Sequence, residues 1–193
     1  MMALMDCPDI VLMQRFLSLS REKILRSFIK TMNNFTVPDI CDAFADEIKV
    51  GDVFFHSFGG IDKFYGEIRT ANCPHSNSIV KEMVEEDGAG KVLVINHSGK
   101  KLCSMVGDQI AQKAFENNWN GIFVNGSIRD VEVIRNIFLG VYAKSPFPMK
   151  TDKSVGIGIK NDDIKIGSVE ISSGDWIYVD ANGWVVSKNK LEL

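Results

Sequence analysis

The chain has 193 residues, 45% of them hydrophobic, and its 22 Lys and Arg against 25 Asp and Glu leave a net charge of -3. That length supports one packed core and is short for two domains of ordinary size. The slightly negative balance excludes a global positive field that would draw in nucleic acid, and four scattered cysteines, Cys7, Cys41, Cys73 and Cys103, lack the spacing of a zinc site or a redox dithiol.

In chain order, residues 1–35 read as an N-terminal helical extension. Phe16, Leu17, Ile24, Leu25, Phe28 and Ile29 fall near a 3.6-residue period, with Arg21, Glu22, Lys23 and Arg26 between them. The nearly apolar run from Ile10 to Leu19 is broken by Gln14 and Arg15, so no segment is long enough to cross a bilayer. Asp6 and Asp9 precede that run where a secretory signal would carry Lys or Arg. A protein without membrane attachment, in the cytoplasm, is expected.

Thr36-Val37-Pro38-Asp39 reads as a helix start: a Thr cap, an early Pro and an acid three residues on suit the exposed N–H groups. It opens a single domain expected over 36–193. Strands are predicted over 47–50, 66–71, 91–95, 121–125 and 140–144, alternating with helices over 78–86, 108–117 and 130–138. After Pro146 the helical pattern stops. Strands follow over 163–171, 176–180 and 184–187, with turns at Ser173-Gly174-Asp175 and Asn182-Gly183. The fold class is α/β, with a β-rich C-terminal third.

Two stretches carry candidate chemistry. In Met105-Val106-Gly107-Asp108-Gln109-Ile110-Ala111, a Gly-Asp pair opens a helix, so the backbone N–H groups of Gly107, Asp108, Gln109 and Ile110 can face one point and bind a carboxylate or phosphate. Simple capping by Asp108 is the structural alternative. In Gly126-Ser127-Ile128-Arg129-Asp130, a buried strand ends in adjacent opposite charges, at the strand end where α/β sheets bind ligands. A surface ion pair is the alternative there. Taken together, both motifs follow strand ends and begin helices, and are expected to converge on one cleft. Backbone N–H groups would hold a carboxylate, Arg129 a second oxygen or an enolate, and Asp130 a hard divalent cation.

His56, His75 and His97 stand apart from paired acids and read as wall or loop residues. Cys103 reads as a packing thiol, Trp119, Trp176 and Trp184 as core or subunit contacts, and Lys100-Lys101 as too short a basic run for RNA.

Residues from about 36 to 186 resemble the RraA-like family, the regulators of ribonuclease E activity and class II 4-hydroxy-4-methyl-2-oxoglutarate aldolases. The matching text includes Pro38-Asp39-Ile40-Cys41-Asp42-Ala43, Phe58-Gly59-Gly60, Phe64-Tyr65-Gly66, Asn77-Ser78, Gly107-Asp108, Gly126-Ser127-Ile128-Arg129-Asp130, Pro148-Met149-Lys150-Thr151 and Asp180-Ala181-Asn182-Gly183. The interval from Asp108 to Arg129-Asp130 matches the family's Asp-x20-Arg-Asp pattern. The resemblance implies a compact sandwich or barrel-like α/β fold related to the phosphohistidine swivelling domain, in a homotrimer with active sites between subunits. It implies that Gly107, Asp108, Gln109 and Ile110 hold the substrate carboxylate, that Arg129 binds a 2-oxo acid, and that Asp130 positions Mg²⁺ or Mn²⁺. Asp108 is the candidate for proton transfer.

The implied activity is a metal-dependent lyase that makes pyruvate enolate, by cleaving 4-hydroxy-4-methyl-2-oxoglutarate or decarboxylating oxaloacetate. The alternatives are a non-catalytic regulator that binds a ribonuclease or RNA helicase, and a remnant enzyme that docks through residues 10–33. One departure stands out. Where members commonly carry a glycine run, then Ser and Arg, this chain has Asn96-His97-Ser98-Gly99-Lys100-Lys101-Leu102-Cys103, with Leu102 and Cys103 at usually basic positions. Lys100 or Lys101 is the expected substitute charge.

Overall fold

A computed structural model describes residues 35–152 and 158–193. The helical extension expected before Phe35 lies outside the described residues. The elements run α1 (Val37–Ala43), β1 (Ile48–Val50), β2 (His56–Ser57), β3 (Phe64–Asn72), α2 (Ser78–Met83), β4 (Lys91–Asn96), β5 (Ser104–Val106), α3 (Asp108–Glu116), β6 (Gly121–Ile128), α4 (Val131–Ile134) and β7 (Gly140–Pro146). They continue with β8 (Ile159–Lys160), β9 (Ile164–Ile166), β10 (Val169–Ile171), β11 (Trp176–Asp180) and β12 (Gly183–Ser187).

The result is a mixed α/β fold around one ten-stranded sheet in the order β1-β12-β11-β3-β4-β6-β7-β2, with β5 also paired to β6 and β8 to β3. Its centre, β3-β4-β6-β7, is parallel. Antiparallel β11, β12 and β1 extend one side and β2 closes the other. The parallel centre follows from the alternation of strands and helices, because each crossover lays a helix on the sheet. Strand β4 shows why both faces must be covered: Val92 and Val94 pack with Phe123, Ile177 and Trp184, while Leu93 and Ile95 pack with Ile79 and Ile110 from the helices.

Helix α1 starts as its sequence requires. Thr36 Oγ1 accepts from the Asp39 N–H at 3.2 Å and donates to Asp39 Oδ2 at 2.6 Å. The N–H of Val37 donates to Asp180 Oδ2 at 2.8 Å, and Asp180 Oδ1 accepts from the Asn182 N–H at 2.7 Å. One buried carboxylate thus ties the first helix to the β11–β12 hairpin.

Three predicted elements differ in extent. The helix expected over 78–86 ends at Met83, where the bonding tightens to three residues: the Glu85 N–H donates to Glu82 O at 3.2 Å and the Glu86 N–H to Met83 O at 3.1 Å, and beyond it Asn117 Nδ2 donates to Val84 O at 2.7 Å and Trp119 Nε1 to Glu86 O at 3.2 Å. The helix expected over 130–138 shrinks to Val131–Ile134. The Gly60 N–H takes the Ile137 carbonyl at 2.9 Å, and a Cβ on Gly59 would lie 2.1 Å from Leu139 O, so the Gly59-Gly60 backbone presses where the helix would continue. The strand expected over 163–171 is a hairpin, β9–β10, turned by Gly167 at φ 60°. The turn at Asn182-Gly183 has Ala181 and Asn182 as its loop, with Asp180 and Gly183 paired. Short strands β2, β5 and β8 had no sequence forecast.

Replacing Asp180 with Ala leaves the Val37 and Asn182 N–H groups without their acceptor. The expected cost is about 1–3 kcal/mol, read as a lower urea midpoint with an unchanged m-value.

Candidate functional site

Strand β5 positions the site. Strand β4 pairs with β6 up to Asn125, and β5 takes up the same edge of β6 from Ser127, so β4 and β5 lie end to end with residues 97–103 looping out between them. The Arg129 N–H donates to Val106 O at 3.0 Å. Parallel pairing therefore sets Gly107 beside Arg129, and the two sequence motifs meet as expected.

Gly107 caps helix α3 in extended backbone, φ -127° and ψ -174°, and Asp108 is the first helical residue instead of the cap. Absence of a side chain is what the cap position needs: a Cβ on Gly107 would lie 2.7 Å from Asp130 Oδ2. Asp130 adopts the left-handed conformation, φ 57° and ψ 38°, which Asp tolerates better than most residues. Its Oδ2 sits 3.2 Å from Arg129 Nε and 3.5 Å from the Asp108 N–H. Asp108 Oδ1 accepts from the Gln109 N–H at 2.7 Å. Two of the four N–H groups expected to hold an anion are thus faced by this chain's own carboxylates.

Around this point a cleft of about 180 Å³ is lined by Gly107, Asp108, Gln109, Ile110 and Arg129, together with Asn77, Lys81, Ser104, Lys150 and Thr151. All the expected site residues line it except Asp130, which stands behind Gly107 against Arg129. The second group was given no site role from sequence, although Asn77, Lys150 and Thr151 stand in the family-matching text. Asn77 stands at the cap position of α2, but its side chain makes no cap hydrogen bond. Asn77 Nδ2 instead donates to Met105 O at 2.8 Å, and Asn77 Oδ1 accepts from Thr151 Oγ1 at 2.9 Å. Ser104 donates its hydroxyl to Phe147 O and its N–H to Met149 O, the latter at 2.8 Å. Helix α2, strand β5 and the segment after β7 are fastened together by these bonds, and the available sequence signal was the family-matching text Asn77-Ser78 and Pro148-Met149-Lys150-Thr151.

The departing loop supplies none of the lining residues. Neither Lys100 nor Lys101 reaches the cleft, and Leu102 is 52% exposed. His97 Nε2 lies 3.6 Å from Cys103 Sγ. Burial, then the charge of His75, holds the His97 pKa below its usual value, while burial raises that of Cys103 against the opposing Lys101. Cys73 is pushed up to about 12, chiefly by burial. Both thiols are buried among core residues, Cys103 as the sequence suggested, and Trp119 and Trp184 are buried in the core.

Among the described residues, no three His, Cys, Asp or Glu side chains gather into a protein-only metal cage. The carboxylates within reach are Asp108 and Asp130. One or two carboxylates suit Mg²⁺ or Mn²⁺, which take their other ligands from water and substrate, and not a four-ligand zinc site.

With this geometry in place, likeness to known proteins becomes informative. Residues 37–186 match the family model RraA-like, described as Aldolase/RraA. A relative from Pseudomonas fluorescens (strain SBW25), named "Putative 4-hydroxy-4-methyl-2-oxoglutarate aldolase", is 45% identical over 162 residues, covering 84% of this chain and 99% of the relative. A relative of the same name from Pseudomonas putida (strain W619) is 43% identical over the same coverage. Among solved structures, the "RNA-processing inhibitor RraA from Thermus thermophilis" superposes with a TM-score of 0.78 at 30% identity, covering 82% of this chain and 96% of that one. A protein of Geobacillus kaustophilus titled S-adenosylmethionine:2-dimethylmenaquinone methyltransferase gives a TM-score of 0.78 at 34% identity, covering 81% and 97%.

Two outcomes test this geometry. Gly107→Ala should displace the Asp130 carboxylate and weaken binding of oxalate at least about tenfold by calorimetry, roughly the worth of one charge-assisted hydrogen bond, with the circular dichroism spectrum unchanged. Because a raised pKa keeps a thiol neutral, Cys73 should resist iodoacetamide at pH 8 in the native protein and react once guanidinium unfolds it, as read by peptide mass spectrometry.

Proposed function

We propose that this chain, which belongs to the RraA-like family, is a lyase that cleaves short 2-oxo acids to pyruvate enolate. Its reactions would be aldol cleavage of 4-hydroxy-4-methyl-2-oxoglutarate, decarboxylation of oxaloacetate, or both. The observation that carries this reading is the meeting of Arg129 and the α3 N-terminus at one cleft, with Asp130 held against Arg129 behind Gly107, in a chain whose relatives bear an aldolase name.

The substrate carboxylate docks on the N–H groups at the start of α3, taking over donors that Asp130 and Asp108 now face. The Arg129 Nε is held by Asp130 at 3.2 Å, which orients the guanidinium and leaves its terminal N–H groups to donate to the 2-oxo oxygen. A divalent cation, held by Asp130 directly or through water, would supply Lewis acidity to the 2-oxo group. As the C3–C4 bond breaks, its electron pair moves toward the C2 carbonyl, and Arg129 places a fixed positive charge where negative charge accumulates on that oxygen. In the aldol direction Asp108 accepts the C4 hydroxyl proton, directly or through a water, and one pyruvate leaves while the enolate of a second remains. Oxaloacetate releases CO₂ and needs no such base. Protonation of the enolate at C3 gives pyruvate in either case.

The same family membership supports a homotrimer with sites between subunits, a neighbouring subunit contributing a further acid, a cytoplasmic location and kinship with the swivelling domain. A second reading has its own support: the likeness to the RNA-processing inhibitor favours a regulator that binds a ribonuclease or RNA helicase.

Purified protein given each substrate with Mg²⁺ should release pyruvate, and EDTA should stop it. Asp130→Asn keeps a residue that tolerates the left-handed backbone while removing the charge. Both it and Arg129→Ala should lower kcat about 10²–10³-fold, the scale of losing one oxyanion donor. Full activity in either variant overturns the assignment, and a folded protein silent on both substrates favours the regulator.

A further inference from the structure

The chain holds three Asn-Gly pairs: Asn120-Gly121, Asn125-Gly126 and Asn182-Gly183. In such a pair the asparagine side chain can react with the next backbone nitrogen, because glycine puts no side chain in the way. The fold treats the three differently. Asn120 is held at both ends of its amide: Nδ2 donates to Tyr65 O at 2.8 Å, and Oδ1 accepts from the Gly90 N–H at 3.3 Å. Asn125 lies inside β6, where its Nδ2 donates to Asn96 Oδ1 at 2.7 Å. The glycines of both pairs are hemmed in, since a Cβ on Gly121 would lie 2.5 Å from the Phe64 ring and one on Gly126 2.9 Å from His97 Cβ. Asn182, by contrast, is exposed at the tip of the β11–β12 hairpin, and a Cβ on Gly183 would meet nothing within 4 Å. Its Nδ2 donates to Asp180 Oδ2 at 3.2 Å, the same oxygen that accepts the Val37 N–H of α1 at 2.8 Å.

We propose that Asn182-Gly183 is a site of spontaneous covalent modification, converting to aspartate and isoaspartate, and that the conversion loosens α1 from the hairpin. The Gly183 nitrogen loses its proton to hydroxide and attacks Asn182 Cγ. The N–Cγ bond forms, the Cγ–Nδ2 bond breaks, and ammonia leaves with a proton taken from water. Water then opens the cyclic imide at one of its two carbonyls, which leaves the carboxylate on the side chain or, in isoaspartate, on the former main chain. An exposed loop tip bends to close the ring at little cost, whereas Asn120 and Asn125 react only when the pairing of β6 opens. The product places a negative charge beside Asp180 where Nδ2 had donated, and like charges at that distance oppose each other's ionisation. Isoaspartate also lengthens the backbone of the loop that aligns β11 with β12. Both changes act on the carboxylate that ties α1 to the hairpin.

Native protein held at mildly alkaline pH, then digested and sequenced by mass spectrometry, should show the amide-to-acid mass change at Asn182 at least about tenfold faster than at Asn120 or Asn125, where local opening must come first. The guanidinium-unfolded chain should convert all three at similar rates. Converted protein, separated by ion exchange on its added charge, should unfold at a lower urea midpoint than unconverted protein from the same sample. Asn182→Gln, whose longer side chain disfavours the ring, should lose no stability over the same incubation. An Asn182 that stays an amide in the native protein overturns the site, as does equal conversion at Asn120 or Asn125. Converted protein with an unchanged midpoint overturns the loosening of α1.

Discussion

The site depends on one strand-pairing constraint. Strand β5 is three residues long, yet the Arg129 N–H bond to Val106 O places the start of α3 against the end of β6. Residues far apart in sequence become neighbours because β5 continues the edge of β6 that β4 leaves. A one-residue slip would move Val106 from the core and carry Gly107 away from Asp130. Val106, Met105 and Ile128 are fully buried, and that burial resists the slip.

Polar bonds then complete what the pairing begins. The buried chain from Thr151 through Asn77 to Met105 secures β5 from the helix side, and the Ser104 bonds to Phe147 and Met149 secure it from the side of β7. Each member of the first chain has a partner, the condition under which buried polar groups add rigidity without a desolvation penalty. Asp130 contributes through its backbone: in the left-handed conformation it brings its carboxylate to the N-terminus of α3, beside the Gly107 cap.

Much of this was legible in the sequence, and the rest had identifiable reasons for staying hidden. The α/β alternation and the Thr36 cap were readable because apolar periodicity and cap chemistry are local. The convergence of Gly107-Asp108 with Arg129-Asp130 was inferable from both motifs following strands, but the strand that enforces it was too short to show a period. Helix lengths were overestimated where the last turn tightens: the Glu85 and Asn136 N–H groups bond three residues back, and the Asn117 amide, the Trp119 indole and the Gly60 N–H then hold the chain that follows to other elements. For β9–β10 a trace was present, because the apolar residues change parity between Ile166 and Val169. Asn77, Lys150 and Thr151 stand in text that matches the family, Asn77-Ser78 and Pro148-Met149-Lys150-Thr151, but no role was read for them, because their proximity is a property of the assembled sheet.

The end-to-end placement of β4 and β5 has a consequence for how the chain can vary. Both strands are registered independently on β6, so the covalent path from His97 to Cys103 is not what holds them in line. Substitution at the exposed Lys100, Lys101 and Leu102 leaves the site's frame intact, whereas Gly99, where a Cβ would lie 1.5 Å from Pro74 O, and the buried Cys103 tolerate less. By the same logic, the exposed stretch at Lys100–Leu102 is a natural place to move the termini in a circularly permuted version, or to receive an inserted domain, with the geometry of the cleft carried by β6 across the break.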